Sequence, residues 1–172
     1  MFATIFANAQ DVYITKNATM HFFSGTIVED IEAETNEGMS AVDIKKGTVY
    51  FKVPINTFEF ERALMQEHFN ENYLESDKFP YSEYNGNIFG DVEWDNAGTY
   101  EVEVEGELEI HGKTVKRTDA GTITVNEDGT ITIESKFIVA LEDHDIAIPK
   151  LLIKNIAEKV EVSVSGTYNL NK

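Results

Sequence analysis

Side chains able to do chemistry are few in this chain, and their spacing suits little of it. There is no cysteine, which removes thiolate nucleophiles, iron–sulfur clusters, zinc–thiolate sites and disulfides together. Four histidines stand at 21, 68, 111 and 144, far apart and without the H-E-x-x-H spacing that sets two imidazoles on one helix face for zinc. Ser163-Val-Ser165-Gly166 lacks the leading glycine of a nucleophile elbow. Gly112-Lys113-Thr114 resembles the tail of a phosphate loop, but position 107 is glutamate where that loop needs glycine. The best local candidate is Asp143-His144-Asp145, whose carboxylates could raise the imidazole pKa or share a cation with it. The plainer reading is a polar loop closing a strand, so His144→Ala is expected to alter stability by only about ±0.5 kcal/mol. His68 falls on a helix face with Leu64 and is expected to be a hydrogen-bonded core histidine. Glu101, Glu103, Glu105, Glu107 and Glu109 alternate along one strand, where they cannot converge on calcium as a loop does, and read as a solvated face.

The elements that would position such groups are strands. Residues 100–110 place Tyr100, Val102, Val104, Leu108 and Ile110 on one face and the five glutamates on the other, a period of two. Residues 49–55, 131–141 and 160–170 repeat the pattern, while Asn85-Gly86, Asn96-Ala-Gly98, His111-Gly112 and Asp128-Gly129 read as turns. Helical spacing is confined to about 61–76, with Met65, Phe69 and Tyr73 at i, i+4, i+8 before Pro80, and a short helical or irregular piece is expected around 151–156. One antiparallel sheet of roughly eight strands follows. Such a sheet can form a two-layer sandwich or a closed barrel; strands of about ten residues favour the barrel, and small inward residues (Gly106, Ser135, Gly166) are expected to leave room inside.

Over 172 residues, 31 Asp and Glu against 14 Lys and Arg leave a net charge of −17, a field that repels nucleic acid and anionic lipid surfaces. No later apolar run could span a membrane. Residues 1–9 carry no charge and end in Ala7-Asn8-Ala9, a small-x-small pattern; they are expected to be a signal-peptide remnant preceding a single domain at 10–172 of a periplasmic or secreted protein.

Three motifs in order carry a resemblance. The helix and its exit, His68-Phe69 through Glu75-Ser76-Asp77-Lys78-Phe79-Pro80, the strand ending Leu108-Glu-Ile110-His111-Gly112-Lys-Thr114, and Val160-x-Val162-x-Val164-x-Gly166 resemble the YceI-like, polyisoprenoid-binding family over about 11–172. Gln66-Glu67 stands where that family has Arg-Asp, and the segment from His21 to Ala33 looks like a secreted subgroup. The resemblance implies an all-β, eight-stranded antiparallel lipocalin-like barrel with the amphipathic helix near its mouth. It implies a binding protein, not an enzyme, holding a long apolar lipid with an isoprenoid or quinone tail, with no cofactor, metal or nucleic acid, and leaves a homodimer open. Alternation and helix phase then nominate Phe22, Phe51, Val53, Met65, Phe69, Tyr84, Tyr100, Val104, Leu108, Phe137 and Val139 as tunnel lining. Val104→Trp and Val139→Trp are expected to behave alike, displacing ligand with little effect on the fold. A metal- or His/Asp-dependent enzyme and a packed structural domain stay open as alternatives.

Overall fold

The computed structural model describes residues 11–148 and 156–171. Nine strands occur in the order β1 (Val12–Gly25), β2 (Asp30–Asp43), β3 (Thr48–Pro54), β4 (Glu59–Phe60), β5 (Tyr81–Phe89), β6 (Gly98–Ile110), β7 (Lys113–Val125), β8 (Ile131–Ala140) and β9 (Lys159–Leu170). Hydrogen bonding runs β1-β9-β8-β7-β6-β5-β3-β2, and β2 returns to β1, so eight antiparallel strands close a barrel and abolish its edges. The two-residue β4 adds to β2 at Ala33 and Glu34.

The alternation along β6 is literal: all five glutamates are exposed, and Val102 and Leu108 are buried. Its turn to β7 is two residues long, His111 (φ 53°) and Gly112 (φ 71°), the doubly left-handed geometry that matches the twist of a tight hairpin. By contrast Asn85-Gly86 is no turn. It lies inside β5, where Gly86 faces Gly106 of β6. Both must be glycine because the Tyr84 ring lies over them: a Cβ on Gly106 would come 2.7 Å from Tyr84 Cζ and 2.3 Å from the Asn85 carbonyl oxygen. Gly106→Ala is therefore expected to destabilise by about 1–3 kcal/mol through overpacking, read as a lower urea midpoint.

That crowding corrects a second expectation. Gly106 and Gly166 do not leave room, because Tyr84 fills the space at one and Ala18 and Tyr168 close on the other, while the Ser135 hydroxyl donates to the Ala120 carbonyl. The half of the barrel built around Tyr13, Val42, Val102, Ile123, Ile131 and Tyr168 is a packed core. Tyr168 is 1% exposed, and burial pushes its phenol up to about 12.

The helix is shorter than 61–76. It runs α1 (Ala63–His68) and continues as one π-helical turn, Phe69–Tyr73. Arg62 is extended and provides no side-chain cap. Asn70 Nδ2 donates to the Gln66 carbonyl at 2.9 Å, a side chain inserting into the backbone ladder, which is a recognised cause of widened turns. Glu75, at φ 44°, ends the element. The piece expected at 151–156 and the start of the chain at 1–9 lie outside the described residues, apart from Ile156. Among the described residues no helix is long and apolar enough to cross a membrane.

Candidate functional site

Opposite the packed core, the other half of the barrel holds a cavity of about 250 Å³, near the small end of the roughly 300–1,000 Å³ typical of sites for drug-sized ligands. It lies at the end carrying the β1–β2 hairpin, the β6–β7 hairpin and the helix. β1 supplies Met20 and Phe22, β3 Val53, β6 Leu108 and Ile110, β8 Phe137 and Val139, and β9 Val160 and Val162. Met65, Phe69 and Tyr73 of the helix cover it, with Phe58 and Phe60 from the β4 segment. The rings of Phe22, Phe58, Phe60 and Phe69 form one cluster: Phe22 stacks on Phe69 at 5.5 Å, and Phe60 meets Phe69 at 5.0 Å. Aromatic contacts of this kind fix the helix over the mouth.

Of the nominated lining residues, Phe22, Val53, Met65, Phe69, Leu108, Phe137 and Val139 face this cavity. The other four do not line it. Phe51 and Tyr84 pack in the barrel's middle beneath it, and Tyr100 and Val104 pack against the closed core at the far end. Alternation places a residue inside the barrel but not at a height, and only the height distinguishes lining from core. Met20, Ile31, Ile55, Phe58 and Phe60, none of them nominated, also line the cavity; the Phe58-x-Phe60 pair beside the helix is the signal the sequence holds, hidden by a strand only two residues long.

Three of the cavity's few polar groups are already partnered. Ser82 Oγ donates to the Glu109 carbonyl at 2.6 Å, and Ser24 Oγ accepts from the Ala157 amide at 3.0 Å. Glu29 at the rim is paired with Arg62. A ligand would therefore be held by apolar burial, with little polar recognition.

The histidines take other roles. His68 is exposed at the rim, and Leu64 is 60% exposed, so His68 is not a core histidine. His144 is not on a surface loop: it is 1% exposed, and its Nδ1 lies 3.0 Å from the Lys113 carbonyl oxygen, to which it donates. His111 bridges Glu75 Oε2 at 2.8 Å and the His144 carbonyl at 3.1 Å, and its hydrogen bond holds the Glu75 carboxyl below its ordinary range. Glu75, His111 and Asp145 are the described non-glycine residues with positive φ, and the bonds His111–Glu75, His111–His144 and His144–Lys113 tie the helix exit, the β6–β7 hairpin and the turn Leu141–His144 together. Among the described residues no three His, Asp or Glu side chains converge to hold a metal ion.

His144→Ala is accordingly expected to destabilise by about 1–3 kcal/mol, because it removes a buried ring and its hydrogen bond to the Lys113 carbonyl. Burial lowers the His144 pKa from 6.5. The neutral ring's contribution is then complete above pH 6.5 and is lost as acid takes the pH down through the depressed folded value. Urea titrations of the two proteins should show their difference narrowing in acid.

A YceI-like domain model matches residues 6–168. The chain belongs to the YceI-like family. No curated protein matches it. Solved structures similar to this YceI-like chain include a polyisoprenoid binding domain from Saccharophagus degradans implicated in plant cell wall breakdown, at 10% identity and TM-score 0.79, covering 94% of this chain and 99% of that one. Burkholderia cenocepacia BcnA is similar at 15% identity and TM-score 0.73, over 88% and 96%. A Campylobacter jejuni YceI protein is similar at 14% identity and TM-score 0.58, over 73% of each chain. At these identities the likeness is one of fold.

Proposed function

We propose that this YceI-like protein is an exported, non-catalytic binder of a long apolar lipid with an isoprenoid or quinone tail. The observation that carries the reading is the cavity itself, walled by aliphatic and aromatic side chains, with Ser24, Ser82 and Glu29 already engaged. The similar Saccharophagus domain, described as polyisoprenoid binding, adds support. A chain of roughly 40 carbons fully buried at about 0.3 kcal/mol per atom would gain about 12 kcal/mol, near nanomolar affinity. The cavity encloses only part of such a chain, so the affinity of the closed form is weaker. Export rests on Ala7-Asn8-Ala9; N-terminal sequencing of secreted material should find Gln10 first, and finding residues 1–9 there would refute it.

All-trans-retinol, a fluorescent isoprenoid, tests the lipid reading. Its fluorescence should rise to saturation on binding, and an unlabelled isoprenoid quinone should displace it. At a ligand concentration of about 100 times Kd, unfolding should become about 2.7 kcal/mol harder. Retinol that neither binds nor stabilises would contradict the reading.

A further inference from the structure

The barrel wall is not laddered evenly. β7 pairs with β6 along its whole length, from Lys113 to Val125, but with β8 only from Gly121 to Val125. β8 meanwhile stays paired with β9 from Ile131 to Ala140. Between Lys113–Ala120 and Lys136–Ala140 the wall is therefore a seam without a ladder, and Phe137 and Val139 on its β8 side line the cavity.

Side chains close it. Arg117 lies opposite inward Gly106, and its Nε and Nη2 donate to Asp119 at 2.5 and 2.6 Å. Nη2 also donates across the seam to the Ile138 carbonyl at 3.0 Å, and the guanidinium sits 4.5 Å above the Phe137 ring. The end of the seam is held by His144 on the Lys113 carbonyl and by Lys113 on Asp145 at 2.7 Å.

We propose that the β7–β8 seam is the lateral passage by which an apolar chain enters and leaves the cavity, with Arg117 as its latch. The inference rests on the lipid reading. Arg117 and Asp119 are two residues apart on one strand, so the pair travels with β7 when the seam parts. No charge is left alone, and one hydrogen bond to Ile138, with the stacking on Phe137, is what breaks between Arg117 and β8. Opening anywhere along a full ladder would break a series of backbone bonds. The alternative opening beside the helix would require end-on threading past Glu29, Arg62 and His68. A seam running along the cavity instead admits a long chain sideways, and lets part of it remain in the gap when the chain exceeds the cavity.

The absence of native cysteine makes the test clean. Thr118→Cys with Ile138→Cys places two thiols on the outer face across the seam, joined by a short bifunctional thiol reagent that forms reducible disulfides. Ile27→Cys with Leu64→Cys, both exposed and flanking the Arg62–Glu29 pair, closes the helix side instead. Stopped-flow fluorescence with all-trans-retinol should show uptake about tenfold slower with the seam joined, as for a gated site, with Kd little changed. Reduction of the same molecules should restore the rate, and joining the helix side should leave it unaltered. An unchanged rate with the seam joined, or slowing only with the helix side joined, overturns the passage while leaving the lipid reading intact. Failure of the unjoined protein to bind retinol at equilibrium overturns both.

Discussion

Val139→Trp should abolish or greatly weaken retinol binding while leaving the unfolding midpoint nearly unchanged, whereas Val104→Trp should do the reverse. The two valines both point inward on long strands, yet their surroundings differ. Val139 is 3% exposed and borders the cavity, so an indole there can occupy the volume a ligand would take. Val104 packs against the closed core, and its Cγ1 already lies 2.7 Å from where a Cβ on Gly86 would stand. A larger ring has nowhere to go, and overpacking of this kind costs about 1–3 kcal/mol. Equilibrium retinol titration and urea unfolding on both variants check the pair. Parallel behaviour of the two would mean that the barrel interior is not divided into a filled and an open half.

Phe58→Ala should produce the largest loss of stability, about 3–5 kcal/mol, as for a fully packed phenylalanine removed from a core. Phe58 is 4% exposed and touches Phe22 at 5.8 Å and Phe69 at 5.6 Å, so its ring joins the helix cover to β1. Leu64→Ala on the outer helix face should change stability by less than about 0.5 kcal/mol. Urea unfolding distinguishes them, and retinol affinity should fall with Phe58→Ala because the cover loses its support. Equal effects from the two substitutions would show that the aromatic cluster does not anchor the helix.

The parts of the fold legible in sequence are those where inward positions are bulky and outward ones charged. β6, β8 and β9 meet that condition, and with the His111-Gly112 hairpin they suffice to indicate long antiparallel strands and a barrel. β1 and β2 do not. β1 changes register between Thr15 and Ala18 and again before Met20, so Lys16 and Asn17 are both exposed and the period of two is lost. β2 turns Ala33, Thr35, Gly38, Ser40 and Val42 inward, all but Val42 small or hydroxylated, so they do not register as an apolar face. β7 hides for another reason: its inward Arg117 and Asp119 read as solvent-facing, although their side chains are 16% and 12% exposed. The pair is buried because each satisfies the other, a condition that depends on side-chain geometry and not on residue order.

For the site, facing direction selects the nominated residues, and depth separates four of them from the cavity. Phe51, Tyr84, Tyr100 and Val104 have the right parity and the wrong level, because Gly86 and Gly106 admit the Tyr84 ring into the barrel's centre. Burial pushes the Tyr84 phenol up to about 12, with the Asp119 charge adding to it, and its hydroxyl donates to the Val104 carbonyl at 3.2 Å. The ring thus stands between the cavity and the core beneath.

Organic extraction of the protein purified from its native host, followed by mass spectrometry, tests the binding of an apolar chain most directly. The wild-type extract should contain an isoprenoid or quinone in near-stoichiometric amount, and the Val139→Trp extract should be depleted of it while that protein remains folded. A wild-type extract free of apolar chains, from protein that also fails to take up added retinol, would contradict the account.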